Sequence, residues 1–185
     1  MPKVRQSAGI LLYRELTPGQ VEVFLAHPGG PYWAKKDEGH WTIPKGEPDD
    51  TETDLLTVAL REFREETGIS LHADGPYIPL GSITQKGGKV VHAWAVRGEA
   101  DPTAIQSNEI EIEWPPRSRK RITIPEVDRC AWFSPEEARV RIKEAQIPLI
   151  ERLLDHLSTG VSRASAPSPS PRECRHDGRG GEGDE

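Results

Sequence analysis

The sequence predicts an α/β fold of the α+β kind, on three observations. Short apolar runs separated by turn chemistry recur on both sides of one strongly patterned helix. Further helical segments gather at the C-terminal end. The stretches joining the strands look too short for the crossover helices of a regular doubly wound sheet. With 185 residues, one domain with a substantial core is expected, spanning residues 1–157, and no internal repeat is found.

Residues 7–13 (SAGILLY) read as a buried strand. After the turn residues Thr17, Pro18, Gly19 and Gln20, residues 21–26 (VEVFLA) read as its hairpin partner. Residues 27–36 (HPGGPYWAKK) follow neither the helical nor the strand period and read as a loop. Tyr32 and Trp33 within it are expected to serve packing first, although exposed rings there would suit stacking on a base or sugar. Residues 40–44 (HWTIP) form a short extended piece entering Lys45 and Gly46.

The central helix is expected over residues 54–67. Thr51 or Thr53 would be its N-cap, acids would crowd its first turn, and Gly68 would supply the left-handed stop. At about 100° per residue, Leu55, Leu56, Val58, Ala59, Leu60 and Phe63 cover one apolar arc, with Thr57, Arg61 and Arg64 opposite. Glu62 and Glu66 project near the azimuths of Leu55 and Val58, and Glu65 sits at the edge of that arc. Their i, i+3, i+4 spacing puts all three carboxylates on one side of the helix. Acids on a buried face are costly unless paired or metal-bound, and hard cations such as Mg²⁺ take oxygen ligands of this kind.

Beyond the helix, residues 77–84 and 90–96 read as strands joined by the turn 85–89, with His92 structural or solvated. Residues 98–121 read as a long connection holding Glu109, Glu111 and Glu113, followed by the basic run Arg117, Arg119, Lys120 and Arg121. Residues 130–133 (CAWF) read as a short buried strand. Ser134, Pro135 and Glu137 then open a helix as N-cap, N1 and N3, and a last amphipathic helix covers about 148–157. From Ser158 the composition turns to Ser, Pro, Gly, Arg and acids, so residues 158–185 are expected to be a disordered tail.

The formal charge is −6, of which residues 158–185, with four Arg against five acids, contribute −1. The acidity therefore belongs to the folded part and argues against a generic nucleic-acid binder. No apolar run approaches the roughly 20 residues of a membrane span, and no signal-peptide core follows Met1. Two isolated cysteines, Cys130 and Cys174, offer neither a disulfide framework nor zinc spacing, which favours a reducing, cytoplasmic location.

Residues 46–69 resemble the Nudix box, G-x5-E-x7-R-E-U-x-E-E-x-G-U with U apolar. Arg61-Glu62-Phe63-Arg64-Glu65-Glu66-Thr67-Gly68-Ile69 matches its second half at every specified position. In the first half, eight residues rather than seven separate Glu52 from Arg61, so either Glu52 or Thr53 occupies the first glutamate slot. Pro44-Lys45-Gly46 and the flanking strands extend the resemblance over about residues 5–157.

The resemblance implies a mixed β-sheet sandwiched between helices and a divalent-metal-dependent hydrolase. It would cut a phosphoanhydride bond in a nucleoside diphosphate linked to another moiety, such as a dinucleoside polyphosphate or a nucleoside triphosphate. Glu62, Glu65 and Glu66, with the Gly46 carbonyl, would hold Mg²⁺ or Mn²⁺, and Arg61 would orient a box glutamate. Lys45 would offset phosphate charge. The basic residues Arg117 and Lys120, and likewise Lys86 and Lys89 on the turn 85–89, would contact further phosphates, or belong to solvated charge runs. Glu109, Glu111 and Glu113 are candidate general bases. The partner would be a small-molecule nucleotide. A non-catalytic nucleotide sensor would be expected to lose box carboxylates, and all three are present. An RNA-end pyrophosphohydrolase would want a basic channel, which the acidic domain lacks outside residues 117–121.

Overall fold

The computed structural model describes residues 4–71 and 76–164. Strands β1 (Gln6–Thr17) and β2 (Gln20–Pro28) form the expected hairpin. They are followed by the two-residue strand β3 (Lys45–Gly46) and helix α1 (Leu55–Thr67). Next come β4 (Ile78–Thr84), β5 (Val90–Arg97), β6 (Glu109–Glu113), β7 (Arg121–Pro125) and β8 (Val127–Phe133). Helices α2 (Pro135–Arg141) and α3 (Ile147–Ala164) close the order.

The main sheet runs β4-β5-β1-β2-β8, with β3 laid on β1. β1 and β5 are parallel, in register from Gln6 opposite Val90 to Tyr13 opposite Arg97, while the other pairs are antiparallel. Side-chain alternation along β1 divides the core. Ala8, Ile10 and Leu12 pack with Phe24 against Val58, Ala59 and Phe63 of α1. Leu11 and Tyr13 pack with Leu25 against Ala138 and Ile142 on one side helix and Leu149, Ile150 and Leu153 on α3. A sheet covered on both faces needs apolar residues at every position, which is why the start of β1 shows no alternation in sequence. The fold is thus a mixed sheet between helices, as the resemblance implied.

Two features bring the box beside β1. Gly9 has no room for a side chain: a Cβ there would lie 2.6 Å from Lys45 Cβ and 2.7 Å from the Pro44 carbonyl oxygen. Its bare backbone lets β3 run against β1, with Gly9 opposite Lys45 and Ala8 opposite Gly46. Behind the same segment, Gln146 is fully buried, and its Oε1 accepts from the Ile43 amide at 3.0 Å while its Nε2 donates to Thr42 Oγ1 at 2.8 Å. A buried amide satisfied this way ties the entry to the box to the turn before α3.

The structure differs from expectation at three places. Asp54, not Thr51 or Thr53, caps α1, accepting from the Leu56 amide at 3.3 Å and from Thr57 Oγ1 at 2.6 Å, and no acid lies in the first turn. Thr51 is drawn instead into a turn around Asp49, whose Oδ1 accepts from its amide and hydroxyl, each at 2.7 Å. Residues 98–121 are not a plain connection, because 109–113 and 121–125 pair as a separate two-stranded hairpin. The run Glu-Ile-Glu-Ile-Glu has the period of two that a strand needs, and its charge disguises it. Helix α3 also continues past residue 157 to Ala164. Ser158 Oγ and Thr159 Oγ1 donate to the Leu154 and Asp155 carbonyls, each at 2.9 Å. The rest of the expected tail, residues 165–185 with Cys174, lies outside the described residues. No helix among the described residues is long and apolar enough to cross a membrane.

Candidate active site

Helix α1 carries its acids where its periodicity places them. Glu62 and Glu66 are buried at 8 % and 5 % exposure, beside Val58, Ala59 and Phe63, and Glu65 stands at the rim. Gly68 ends the helix with φ 76°, its amide donating to the Arg64 carbonyl at 2.7 Å. Burial pushes the Glu62 carboxyl up from its ordinary range, against the pull of the neighbouring Arg61. Burial also raises Glu66, opposed by Lys45 and reinforced by Glu126 and Glu62.

Arg61 organises the carboxylates. Its Nε donates to Glu52 Oε1 at 2.7 Å and its Nη2 to Glu52 Oε2 at 2.8 Å, a planar two-point pair. Its Nη1 reaches Glu62 Oε1 at 2.8 Å and Glu65 Oε2 at 3.1 Å, and its Nη2 the Glu47 carbonyl at 3.2 Å. Glu52 therefore takes the first glutamate slot despite the extra residue. The turn around Asp49 absorbs the insertion, and the Asp49 amide donates back to Glu52 Oε2 at 3.0 Å.

Gly46 lies directly against Glu62. A Cβ at this position would fall 2.0 Å from Glu62 Cδ. The preceding Lys45 amide donates to Glu66 Oε2 at 3.1 Å. Two consecutive residues of β3 thus meet two acids of α1.

The carboxylates open into a cavity of about 560 Å³. Glu62, Glu65 and Glu66 line it together with Lys45, Gly46, Lys89, Glu126 and Lys143, and its outer wall includes Tyr32, Trp33 and Ile112. Lys45 has its pKa lowered by burial and by Lys143 and Lys89, and Lys143 is lowered by burial and by Lys89. Lysines that disfavour one another's charge are better accommodated with an anionic ligand between them.

Of the residues singled out from sequence, Gly46, Glu62, Glu65, Glu66 and Lys45 meet in this cavity, and Arg61 braces it from behind. Glu109, Glu111 and Glu113 do not line it. Strand alternation in the β6–β7 hairpin turns Ile110, Ile112 and Ile124 toward the cavity and the three glutamates away. Glu111 pairs with Arg121 at 3.1 Å, and Glu113 Oε1 accepts from the Arg119 amide at 2.7 Å. Arg117 and Lys120 are exposed around the hairpin tip and do not line the cavity either.

Sequence reasoning missed Glu126 and Lys143 as cavity residues, whereas Lys89, a candidate phosphate contact on the turn 85–89, does line the cavity. Glu126 sits between β7 and β8, and its Oε2 accepts from Asn108 Nδ2 at 2.9 Å. Only its place before the last strand of the main sheet could have signalled it. Tyr32 and Trp33 do pack edge to face, with centroids 4.6 Å apart, yet they also line the cavity, and Tyr32 is 54 % exposed.

Among the described residues, no group of three or more His, Cys, Asp or Glu side chains already stands as a metal-ligand set. Arg61 Nη1 instead holds Glu62 and Glu65. The donor chemistry nevertheless fits a hard divalent cation. Three carboxylates line one cavity, two of them buried and raised in pKa by that burial, an imbalance a cation would relieve.

A family model described as the NUDIX domain matches residues 3–153. No curated protein matches the chain. Among solved structures, the chain is similar to a C. elegans Ap4A hydrolase in a binary complex, with TM-score 0.56 and 24% identity over 84% of this chain and 99% of that one. The NUDIX domain of Shewanella oneidensis NrtR, complexed with ADP ribose, gives TM-score 0.58 and 16% identity over 85% and 90%. A mutT/nudix family protein from Listeria innocua gives 0.56 and 17% over 88% and 99%.

Proposed function

The chain belongs to the Nudix family of pyrophosphohydrolases, and on that premise we propose that it hydrolyses a phosphoanhydride bond in a nucleoside diphosphate linked to another moiety. The observation that carries the reading is the meeting of Glu62, Glu65 and Glu66 with Lys45, Lys89 and Lys143 in the lining of one cavity. Acids of this kind suit a cation, lysines suit phosphate, and a pyrophosphate substrate brings the two together.

Glu62, Glu65 and Glu66, with the Gly46 carbonyl, would hold Mg²⁺ or Mn²⁺. Such an ion, when bound, neutralises phosphate charge and lowers the pKa of water. Arg61 keeps the carboxylates in place through its two-point contact with Glu52. Lys45, Lys89 and Lys143 offset the phosphate charge of the substrate. Glu126, steadied by Asn108, accepts a proton from the attacking water as its oxygen bonds to phosphorus. The anhydride bond to the leaving phosphate breaks in the same displacement, and that phosphate leaves with the bonding electron pair. Tyr32 and Trp33 offer a ring face for a base.

The test is turnover of a substrate panel with Mg²⁺ or Mn²⁺: a dinucleoside polyphosphate, ADP-ribose, a nucleotide sugar and nucleoside triphosphates. The panel includes the compounds named for two fold relatives. Turnover that falls sharply in Glu65→Gln supports the reading. Binding without turnover would make the protein a sensor instead, and undiminished turnover in Glu65→Gln would reject the assigned carboxylates.

A further inference from the structure

Strand β2 ends in a joint that neither the Nudix box nor the proposed reaction uses. His27, next to last in β2 and fully buried, places both ring nitrogens against acceptors. Its Nε2 lies 2.6 Å from the Lys36 carbonyl oxygen and its Nδ1 2.8 Å from Asp128 Oδ1. A carbonyl only accepts, so Nε2 carries a proton and donates it. The Nδ1 contact in turn needs a proton held by the ring or by the carboxyl. Trp41 packs edge-on against the same ring, with centroids 5.2 Å apart. The imidazole is thereby fixed in both position and direction.

The backbone is shaped to make this joint. His27 stands opposite Arg129 but Pro28 opposite Val127, so the β2–β8 register shifts and Asp128 is the residue left over. A bulge of this kind re-aims a side chain, here the Asp128 carboxylate onto His27. Just beyond it, the Gly29 amide donates to the Glu126 carbonyl at 2.9 Å, and a Cβ on Gly29 would lie 2.0 Å from the Pro125 carbonyl oxygen. Lys36 carries the constraint to the aromatic pair. Its carbonyl is held by His27, and its amide donates to the Trp33 carbonyl at 2.8 Å. Its Nζ lies 3.6 Å from the Tyr32 ring centroid and 5.0 Å from that of Trp33. The Trp33 and Ala34 amides donate to the Gly30 carbonyl at 3.2 Å and 3.1 Å, which closes residues 30–36 into one turn. Both ends of that turn are therefore tied to the segment that holds Glu126 and Asp128.

We infer that His27, oriented by Asp128, is a positioning residue for nucleobase binding: it sets where Tyr32 and Trp33 stand on the cavity wall. His27 does not line the cavity itself and acts through Lys36. The inference rests on the ring face proposed above for the base, and it names the group that holds that face in place.

The test compares two non-hydrolysable probes by calorimetry on the full chain with Mg²⁺: α,β-methylene-ATP, and methylenediphosphonate, which has no base. The ratio of their affinities should fall about tenfold in Trp33→Ala, which removes a ring. It should fall equally in His27→Asn, whose shorter amide stops at the Nδ1 position and releases Lys36. His27→Gln, whose amide reaches the Nε2 position, should restore it. The double variant His27→Asn/Trp33→Ala should fall no further than Trp33→Ala alone. Asp128→Ala, at a side chain 27 % exposed, carries the same expected fall and decides the matter if His27→Asn does not fold. An unchanged ratio in the folded variant, or an equal loss of both affinities, overturns the inference. An unchanged ratio in Trp33→Ala removes the ring face from the proposed function and the inference with it. Lack of turnover by the wild-type chain would instead remove the hydrolase reading alone.

Discussion

Gly46→Ala separates the stability of this fold from its chemistry. The added Cβ would sit 2.0 Å from Glu62 Cδ and 2.1 Å and 2.3 Å from its two carboxylate oxygens. Ordinary contact between such atoms is about 3.5 Å, so the carboxylate must retreat by about 1.5 Å. The displaced group ends a flexible side chain, which places the packing cost near the lower end of the overpacking range, about 1 kcal/mol. Replacing glycine by alanine where the backbone allows it returns about 0.4–1 kcal/mol through the unfolded chain. The net change in stability is therefore small, and the melting temperature should move by less than about 4 °C. Retreat of Glu62 also breaks its 2.8 Å contact with Arg61 Nη1. Misplacement of about 1 Å in a catalytic arrangement costs roughly 100-fold, so kcat/KM should fall by about that factor. Circular-dichroism melting and metal-dependent hydrolysis on the same preparation check both halves. Activity within about threefold of wild type would refute the close fit of Gly46 to Glu62, and a melting temperature lowered by more than about 10 °C would make the glycine structural.

Glu126→Gln should lower kcat by about 100-fold, while the triple variant Glu109→Gln, Glu111→Gln, Glu113→Gln should change it less than about threefold. Steady-state kinetics decide between them, and the reverse ranking would return the general base to the hairpin. Glu52→Gln should lower kcat/KM by about tenfold with the fold intact, since it loosens the brace behind the carboxylates rather than a group at the cavity. Burial pushes the Cys130 thiol up to about 12, with Glu66 and Asp128 adding to the effect. Iodoacetamide at pH 8 should accordingly label it only as fast as the protein unfolds, a rate read by mass spectrometry. The Asp37 carboxyl is held below its ordinary range by the Arg141 guanidinium and then by the Trp41 indole N–H. A lowered folded-state pKa contributes stability above the unfolded value of about 3.9 and loses it as pH falls through the folded value. Melting profiles against pH should therefore drop less steeply below about pH 4 in Asp37→Asn than in wild type.

How much of this could be read before folding depends on the range of the interactions involved. The azimuths of Glu62, Glu65 and Glu66 follow from helical periodicity within five residues, and the structure keeps Glu62 and Glu66 on the buried face. The left-handed stop at Gly68, the Ser134 capping box and the β1–β2 hairpin are equally local. The cap at Asp54 was misread because several adjacent Thr and Asp residues suit the role, and only the turn around Asp49 selects among them. The hairpin at residues 109–125 was misread because charged residues on its outward face hid a strand whose isoleucines turn inward.

The family, the alternation of elements and the carboxylate stripe on α1 are legible in the residues alone. All are set by short-range periodicity and a contiguous motif. That Lys143 and Glu126 join that stripe, beside the Lys45 and Gly46 already expected there, follows from contacts distant in the chain. Lys45, Lys89 and Lys143 come from three separate segments, and sheet pairing with the turn before α3 brings them to one cavity. Glu109, Glu111 and Glu113 do not line that cavity because side-chain direction in a strand depends on its register against a partner, whereas Glu126, at the junction of β7 and β8, does line it. Glu52 reaches Arg61 across an inserted residue because a loop can absorb length without moving its ends.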